Sequence, residues 1–167
     1  MTQDRLVVYS IGHSNHPIVR FLELLRTADV SAVADVRSVP FSRRWPQFGR
    51  KRLEPALANA GIAYVYLGAE LGGRPDDPAL LSNGKPDYER MAAIPRFQAG
   101  LDRVIDGARR YRVALMCAER EPRECHRFLL VSPHLVARGV MIRHILADGT
   151  IEPHEATEAR GRSRHRS

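Results

Sequence analysis

Leu115-Met116-Cys117-Ala118-Glu119-Arg120-Glu121-Pro122-Arg123-Glu124-Cys125-His126-Arg127 decides how this chain is read. It follows an apolar run, Val113 to Met116, and leads into an apolar helical pattern, Phe128 to Val136. A short apolar run, a charged loop and a helical period spell a buried strand, a turn and a helix. Pro122 suits a first helical turn, because it has no N–H to leave unpaired and its φ is already near helical. The expectation is that Cys125, His126 and Arg127 occupy that helix's first turns, where free N–H groups and the positive end of the dipole favour an anion and lower a thiol's pKa. Both cysteines of the chain lie in this stretch.

The same grammar repeats on either side. Leu6 to Ile11, Val30 to Val36, Ile62 to Leu67, Arg112 to Met116 and Val140 to Ile145 read as strands. Between them lie helical stripes: Ile18, Phe21, Leu22 and Leu25; Leu53 to Ala60, stopped by Gly61; and the segment opened by Pro95 with Phe97, Leu101, Val104, Ile105 and Ala108. Alternating strands and helices predict an α/β fold. The expected form is one domain over residues 1–149, a mainly parallel five-stranded sheet with helices on both faces. Residues 150–167 form a C-terminal extension in which the apolar pattern fades, with disorder expected from Arg160 to Ser167. Right-handed crossovers bring the strand C-terminal ends to one edge, the edge where open α/β sheets bind ligands. The unusual polar residues fall there: His13, Ser14 and Asn15; Asp35 and Arg37; Tyr66 and Glu70; Cys117 and Glu119.

Composition narrows the partners. At 167 residues the chain is long enough for a full core. No apolar run approaches a membrane span, and the N-terminus lacks a leader pattern, so the expectation is a cytoplasmic protein with no membrane partner and with thiols rather than a disulfide. The formal charge of +7 falls to about +3 without Arg160, Arg162, Arg164 and Arg166. A basic surplus favours an anionic substrate or nucleic acid.

The candidate chemistry centres on Cys117, as nucleophile or redox thiol, against the plainer role of a small buried residue. His126 or His13 would serve as base and Glu119 as acid/base group or as partner of Arg127. Cys125 reads as resolving thiol, metal ligand or helix packing. Arg37 and Arg127 are candidate anion clamps, with Asp35, Ser14, Asn15 and Tyr66 beside them; Asp35 and Arg37 equally suit a structural ion pair. Residues 37–52 mix cations with aromatics, and Arg43, Arg44, Trp45, Arg50 and Lys51 have the chemistry of phosphate contact and base stacking, or of a solvated face over packed aromatics. No cofactor or metal is expected. Were zinc or iron bound, Cys117, Cys125 and His126 would be its ligands, although the cysteine spacing is longer than that of zinc knuckles.

Tyr9-Ser10-Ile11-Gly12-His13-Ser14-Asn15, Asp35-Val36-Arg37-Ser38-Val39-Pro40, Leu67-Gly68 with Leu71-Gly72-Gly73, and Cys117-Ala118-Glu119 followed by Cys125-His126-Arg127 together resemble the family called domain of unknown function 488. The resemblance implies a compact α/β domain and no established reaction. The functional expectation is therefore an enzyme with a Cys/His/Arg pocket, a thiol-dependent hydrolase or transferase acting on a phosphate-bearing substrate such as a nucleotide or nucleic acid. The alternatives are a non-catalytic nucleic-acid-binding module using residues 37–52, or a metal-binding protein.

Overall fold

The structure is a computed structural model that describes residues 5–164. The chain runs β1 (Val7–Gly12), α1 (Ile18–Thr27), β2 (Ala32–Asp35), α2 (Arg50–Asn59), β3 (Ala63–Tyr66) and α3 (Gly68–Leu71). A small hairpin, β4 (Leu81–Ser82) and β5 (Lys85–Pro86), precedes α4 (Tyr88–Ala92), α5 (Pro95–Ala108) and β6 (Val113–Cys117). It ends with α6 (Ser132–Ala137), β7 (Met141–Ile145), β8 (Ile151–Pro153) and α7 (His154–Arg164).

The sheet order is β3-β2-β6-β1-β7-β8. The first five strands are parallel and β8 runs antiparallel to β7. Strand alternation sends Val8, Ala34, Val113 and Leu115 to one face, against Phe97, Leu101 and Val104 of α5 and Leu135 of α6. It sends Tyr9, Ile11, Val33 and Met116 to the other, against Phe21, Leu24 and Leu25 of α1 and Leu53 and Leu57 of α2. β6 therefore lies between two strands, β1 and β2, whose following helices cover the face opposite to its own. Chain leaving in opposite directions opens a crevice at the C-terminal end of β6, the place where α/β sheets take ligands. Cys117 is the last residue of that strand.

Three sequence expectations change. The sheet has six strands, not five, because Ile151-Glu152-Pro153 pairs with β7. Three residues are too few to show alternation in the sequence. The extension is helical through Arg164, so disorder from Arg160 does not describe residues 160–164, while residues 165–167 lie outside the described residues. α7 is pinned by buried His154 and Thr157 and by Arg160, whose Nη2 donates to Glu152 at 2.8 Å and Glu121 at 3.3 Å.

The helix expected after Pro122 is the third. Only one 3₁₀ turn, Pro122–Glu124, forms; Cys125 is extended, with φ −125° and ψ 145°. Helix resumes as a wide turn over Arg127–Val131, in which the N–H of Ser132 reaches back to the carbonyl of Arg127, five residues earlier, and then becomes α6. Pro133 explains the widening: it has no N–H to give the carbonyl four residues back and its ring crowds that carbonyl. Cys125 thus caps the second helical segment, its Sγ accepting from the Arg127 N–H at 3.4 Å and its carbonyl from the N–H groups of Phe128 and Leu129 at 3.0 Å.

Candidate active site

Three strand ends build the site. The β1 and β6 ends are joined by His13 N–H to Cys117 O at 2.8 Å and Ser14 N–H to Ala118 O at 3.0 Å, and β2 is joined by Val36 N–H to Met116 O at 3.0 Å. The loop after Cys117 crosses directly over Gly12: a Cβ there would lie 1.7 Å from Glu119 O, so only glycine admits this crossing. Above the strand ends is a cavity of about 380 Å³, lined among others by His13, Arg37, Phe41, Arg74, Cys117, Glu119, Cys125 and His126.

Cys117 is buried, and Arg127 lies fully buried behind it. Arg127 Nη1 is 2.7 Å from Cys117 Sγ and 2.9 Å from Glu119 O, and Nε donates to Ser10 Oγ at 3.1 Å. Among the described residues no carboxylate forms an ion pair with Arg127. Burial lowers its pKa to about 10, so it is still a cation at neutral pH. An interior cation needs an opposite charge beside it. Among the described residues the ionisable side chain hydrogen-bonded to the guanidinium is that of Cys117, so that in the reduced protein the cation faces the Cys117 sulfur directly.

Cys125 faces Cys117 with the two sulfurs in contact and the Cα atoms 7.5 Å apart. The expectation of two thiols is thus not what the structure shows: Cys117 and Cys125 are paired as a disulfide, and their Cα separation is wider than a relaxed bridge spans. His126 Nε2 donates to the Val36 carbonyl at 2.8 Å, which leaves Nδ1 as acceptor, 3.8 Å from Cys125 Sγ. Burial lowers the His126 pKa. His126 as base therefore addresses Cys125 rather than Cys117. Gly73 makes room for its ring: a Cβ at that position would meet His126 Cγ at 2.7 Å.

His13 is buried, stacks on Phe48 with ring centres 4.5 Å apart, and donates from Nδ1 to Ser14 O at 2.9 Å. Its Nε2 keeps a lone pair with no partner, and burial pushes the pKa down to about 4. Arg37 is buried and bidentate to Asp35, Nε at 2.9 Å and Nη2 at 2.8 Å, with Nη1 unpartnered. A neutral base and a spare guanidinium N–H thus line the same cavity.

Several expected residues stand elsewhere. Asp35 is fully occupied by Arg37 and by Tyr64 OH at 2.6 Å; it is the structural half of an ion pair and not a substrate ligand. Arg127 is beneath the thiol, out of a substrate's reach. Ser14 and Asn15 hold Arg120 at 3.2 and 2.8 Å, outside the cavity lining. Tyr66 donates to Ser38 O at 2.7 Å and lines a neighbouring cavity of about 780 Å³. In residues 37–52, Phe48 is core and Trp45 packs on it, so the loop's remaining exposed aromatic is Phe41. Arg43, Arg44, Arg50 and Lys51 are exposed, with Arg50 lying over the Tyr64 ring at 5.4 Å and the Tyr66 ring at 5.7 Å. Among the described residues no three His, Cys, Asp or Glu side chains are placed to share a metal ion. At Cys117 the neighbour is already a cation, Arg127, where a metal would need to bind.

Ser38 of the loop after β2, Gly73 and Arg74 of the long segment 68–86, which the sequence marks as a lid or binding loop, and Tyr88 at the start of α4 complete the cavity wall; none of the four was singled out as a site residue. The length of that segment and its Gly/Pro content were the available signal. Sequence reasoning also missed Ser10 and His144, single polar residues inside apolar strands.

No described helix is long and apolar enough to cross a membrane. A family model described as "Domain of unknown function DUF488" matches residues 17–132. No curated protein and no solved structure matches the chain.

Proposed function

The chain belongs to the DUF488 family, whose description carries no reaction, and we propose that it is a thiol-dependent hydrolase or transferase acting on a phosphate-bearing substrate. Cys117, as thiolate, attacks an electrophilic atom of the substrate; the new Sγ bond forms as the leaving group departs. Water or a second acceptor then attacks the adduct, His13 Nε2 takes its proton, and Sγ leaves as thiolate. Arg37 Nη1 and exposed Arg74 hold the anionic group, clear of Glu119 and Glu124, which also line the cavity. A reducing cytoplasm fits this role, since it keeps both facing sulfurs as thiols.

The observation that carries the reading is the buried guanidinium of Arg127 set on Cys117 Sγ with no carboxylate of its own. The first test is the pH dependence of iodoacetamide labelling. Cys117 and Cys125 are separated by arginines, so tryptic mapping reads each one. The expected midpoint for Cys117 is about two pH units under the free-thiol value of about 8.5. Inorganic phosphate should slow the labelling, and Cys117→Ser should keep binding but lose turnover of any phosphate ester or anhydride the wild type converts. A Cys117 midpoint at or above about 8.5 ends the thiolate reading.

A second reading is favoured by one observation: Phe41, on the cavity rim, and Arg43 and Arg44 are exposed together. That combination suits a nucleic-acid strand crossing the cavity mouth. The double charge reversal Arg43→Glu with Arg44→Glu should then weaken single-stranded RNA or DNA binding and reduce its salt slope by roughly two. Wild-type protein without salt-sensitive affinity at low salt removes this reading.

A further inference from the structure

Ser10 sits mid-strand in β1, opposite His144 of β7 in the parallel register, and both are wholly buried. Their side chains are in hydrogen-bond contact, Ser10 Oγ with His144 Nδ1. His144 Nε2 is 3.1 Å from Nδ1 of His154, the first residue of α7, and His154 Nε2 is 3.6 Å from Glu158, whose side chain is 44 % exposed. At the inner end, Arg127 Nε donates to Ser10 Oγ at 3.1 Å. A line of polar side chains therefore runs from the surface of α7 to the guanidinium behind Cys117, hydrogen-bonded from Arg127 to His154 and ending in the 3.6 Å approach of His154 to Glu158.

The ends of the line fix the direction of its protons. Arg127 can only donate, and the Glu158 carboxylate can only accept. A proton on His154 Nε2 faces the carboxylate and leaves Nδ1 to accept from His144 Nε2–H. His144 Nδ1 then accepts the Ser10 hydroxyl, whose lone pairs are left for Arg127. The opposite tautomers would set a nitrogen lone pair against the carboxylate. Both imidazoles stay neutral in this arrangement: burial brings the His144 pKa down to about 3 and lowers that of His154, with Arg127 and Arg160 opposing protonation of His144 and Glu155 and Glu158 favouring it at His154. The Phe128 ring packs on both, with centres 5.6 Å from His144 and 4.7 Å from His154.

We propose that Ser10 and His144, backed by His154 and Glu158, are positioning residues that hold the Arg127 guanidinium on Cys117 Sγ, so that the C-terminal helix sets the reactivity of the thiol. This rests on the thiolate reading of Cys117. Arg127 has no carboxylate to fix its plane, and Ser10 is the side-chain oxygen that Nε meets. If Ser10 Oγ is lost, the Glu119 carbonyl is the one oxygen left bonded to the guanidinium among the described residues, and that single contact lets the cation turn from the sulfur. The other charged or titratable groups near the thiol, namely Cys125, His126, Glu119, Glu121, His13 and Arg37, are unchanged by that loss, so a shift in titration reports on the guanidinium.

The test compares the pH midpoint of Cys117 labelling by iodoacetamide in wild type, Ser10→Ala, His144→Phe and His144→Asn, with folding checked by circular dichroism. Ser10→Ala and His144→Phe should raise the midpoint by about one pH unit, a roughly tenfold loss of thiolate at pH values below both midpoints. His144→Asn, which keeps a hydrogen-bond acceptor near the Nδ1 position, should recover part of the shift. Folded Ser10→Ala and His144→Phe that titrate as wild type overturn the proposal. If His144→Phe does not fold, Ser10→Ala decides alone. A wild-type midpoint at the free-thiol value defeats the thiolate reading itself, which is a different outcome from variants that match a depressed wild-type midpoint.

Discussion

Arg127→Met is expected to raise the Cys117 labelling midpoint by about two pH units and to cost about 3–5 kcal/mol of folding stability. The side chain is fully buried, and its removal leaves the Glu119 carbonyl and Ser10 Oγ short of a donor in a dry interior. The same removal takes away the cation that faces Sγ, and burial then favours the neutral thiol. Methionine fills most of the volume, so the loss reports charge and hydrogen bonds more than a cavity. Urea unfolding gives the stability and tryptic mapping the midpoint. A folded variant with an unmoved midpoint would show that the guanidinium does not ionise Cys117. Cys117→Ala offers the converse: it strands the cation, and should cost more at pH 8 than at pH 5, where the thiolate is already being lost.

Acid is the second large lever. Folded His13 titrates at about 4 and folded His144 at about 3, both held down mainly by burial, against 6.5 in the unfolded chain. Below pH 6.5 the unfolded chain takes up protons that the folded one refuses, so stability falls as pH falls through that window and flattens only near the folded values. The ceilings are about 3 kcal/mol for His13 and about 5 kcal/mol for His144. His16, His126 and His154 are lowered too and push the same way. Glu121 and Glu152, lowered by Arg123 and Arg160, add their own loss below about pH 4.5. Between pH 7 and pH 4.5 the unfolding free energy should drop by about 4–6 kcal/mol, and His13→Gln should make the drop shallower by roughly one proton's worth. Equal urea midpoints at the two pH values would contradict the burial of these rings.

The sheet was legible because its strands carry apolar runs: Val113 to Met116 became β6 with one residue added at Cys117. The gathering of polar residues at the strand ends followed from parallel topology, and His13, Arg37, Cys117, Glu119 and His126 do line one cavity. Asp35 and Arg37 were readable as an ion pair from their spacing. What stayed hidden depended on distant chain. The turn that Pro122 opens stops at Glu124, helix resumes two residues after extended Cys125, and Pro133 widens it; the local sequence does not announce that break. Ser10 and His144 are 134 residues apart and look alike in sequence, one polar side chain in a greasy strand, until β1 and β7 are set side by side. For Trp45 and Phe48 the sequence left base stacking and packing beneath the loop both open, and only the placement of α1 and α2 decides for packing.

β8 also has a meaning for the company the molecule keeps. Without it, β7 would end the sheet with a bare row of amide and carbonyl groups, a template on which a second chain could add a strand. Ile151–Pro153 occupies that row with three residues, and Pro153, paired with Arg143, brings no N–H of its own to extend the ladder outward. The turn at Asp148 and Gly149 swings this guard into place, and Arg160 fastens the helix behind it to Glu152. The start of the extension in which the apolar pattern fades thus covers the β7 edge and leaves a short, proline-ended margin in its place.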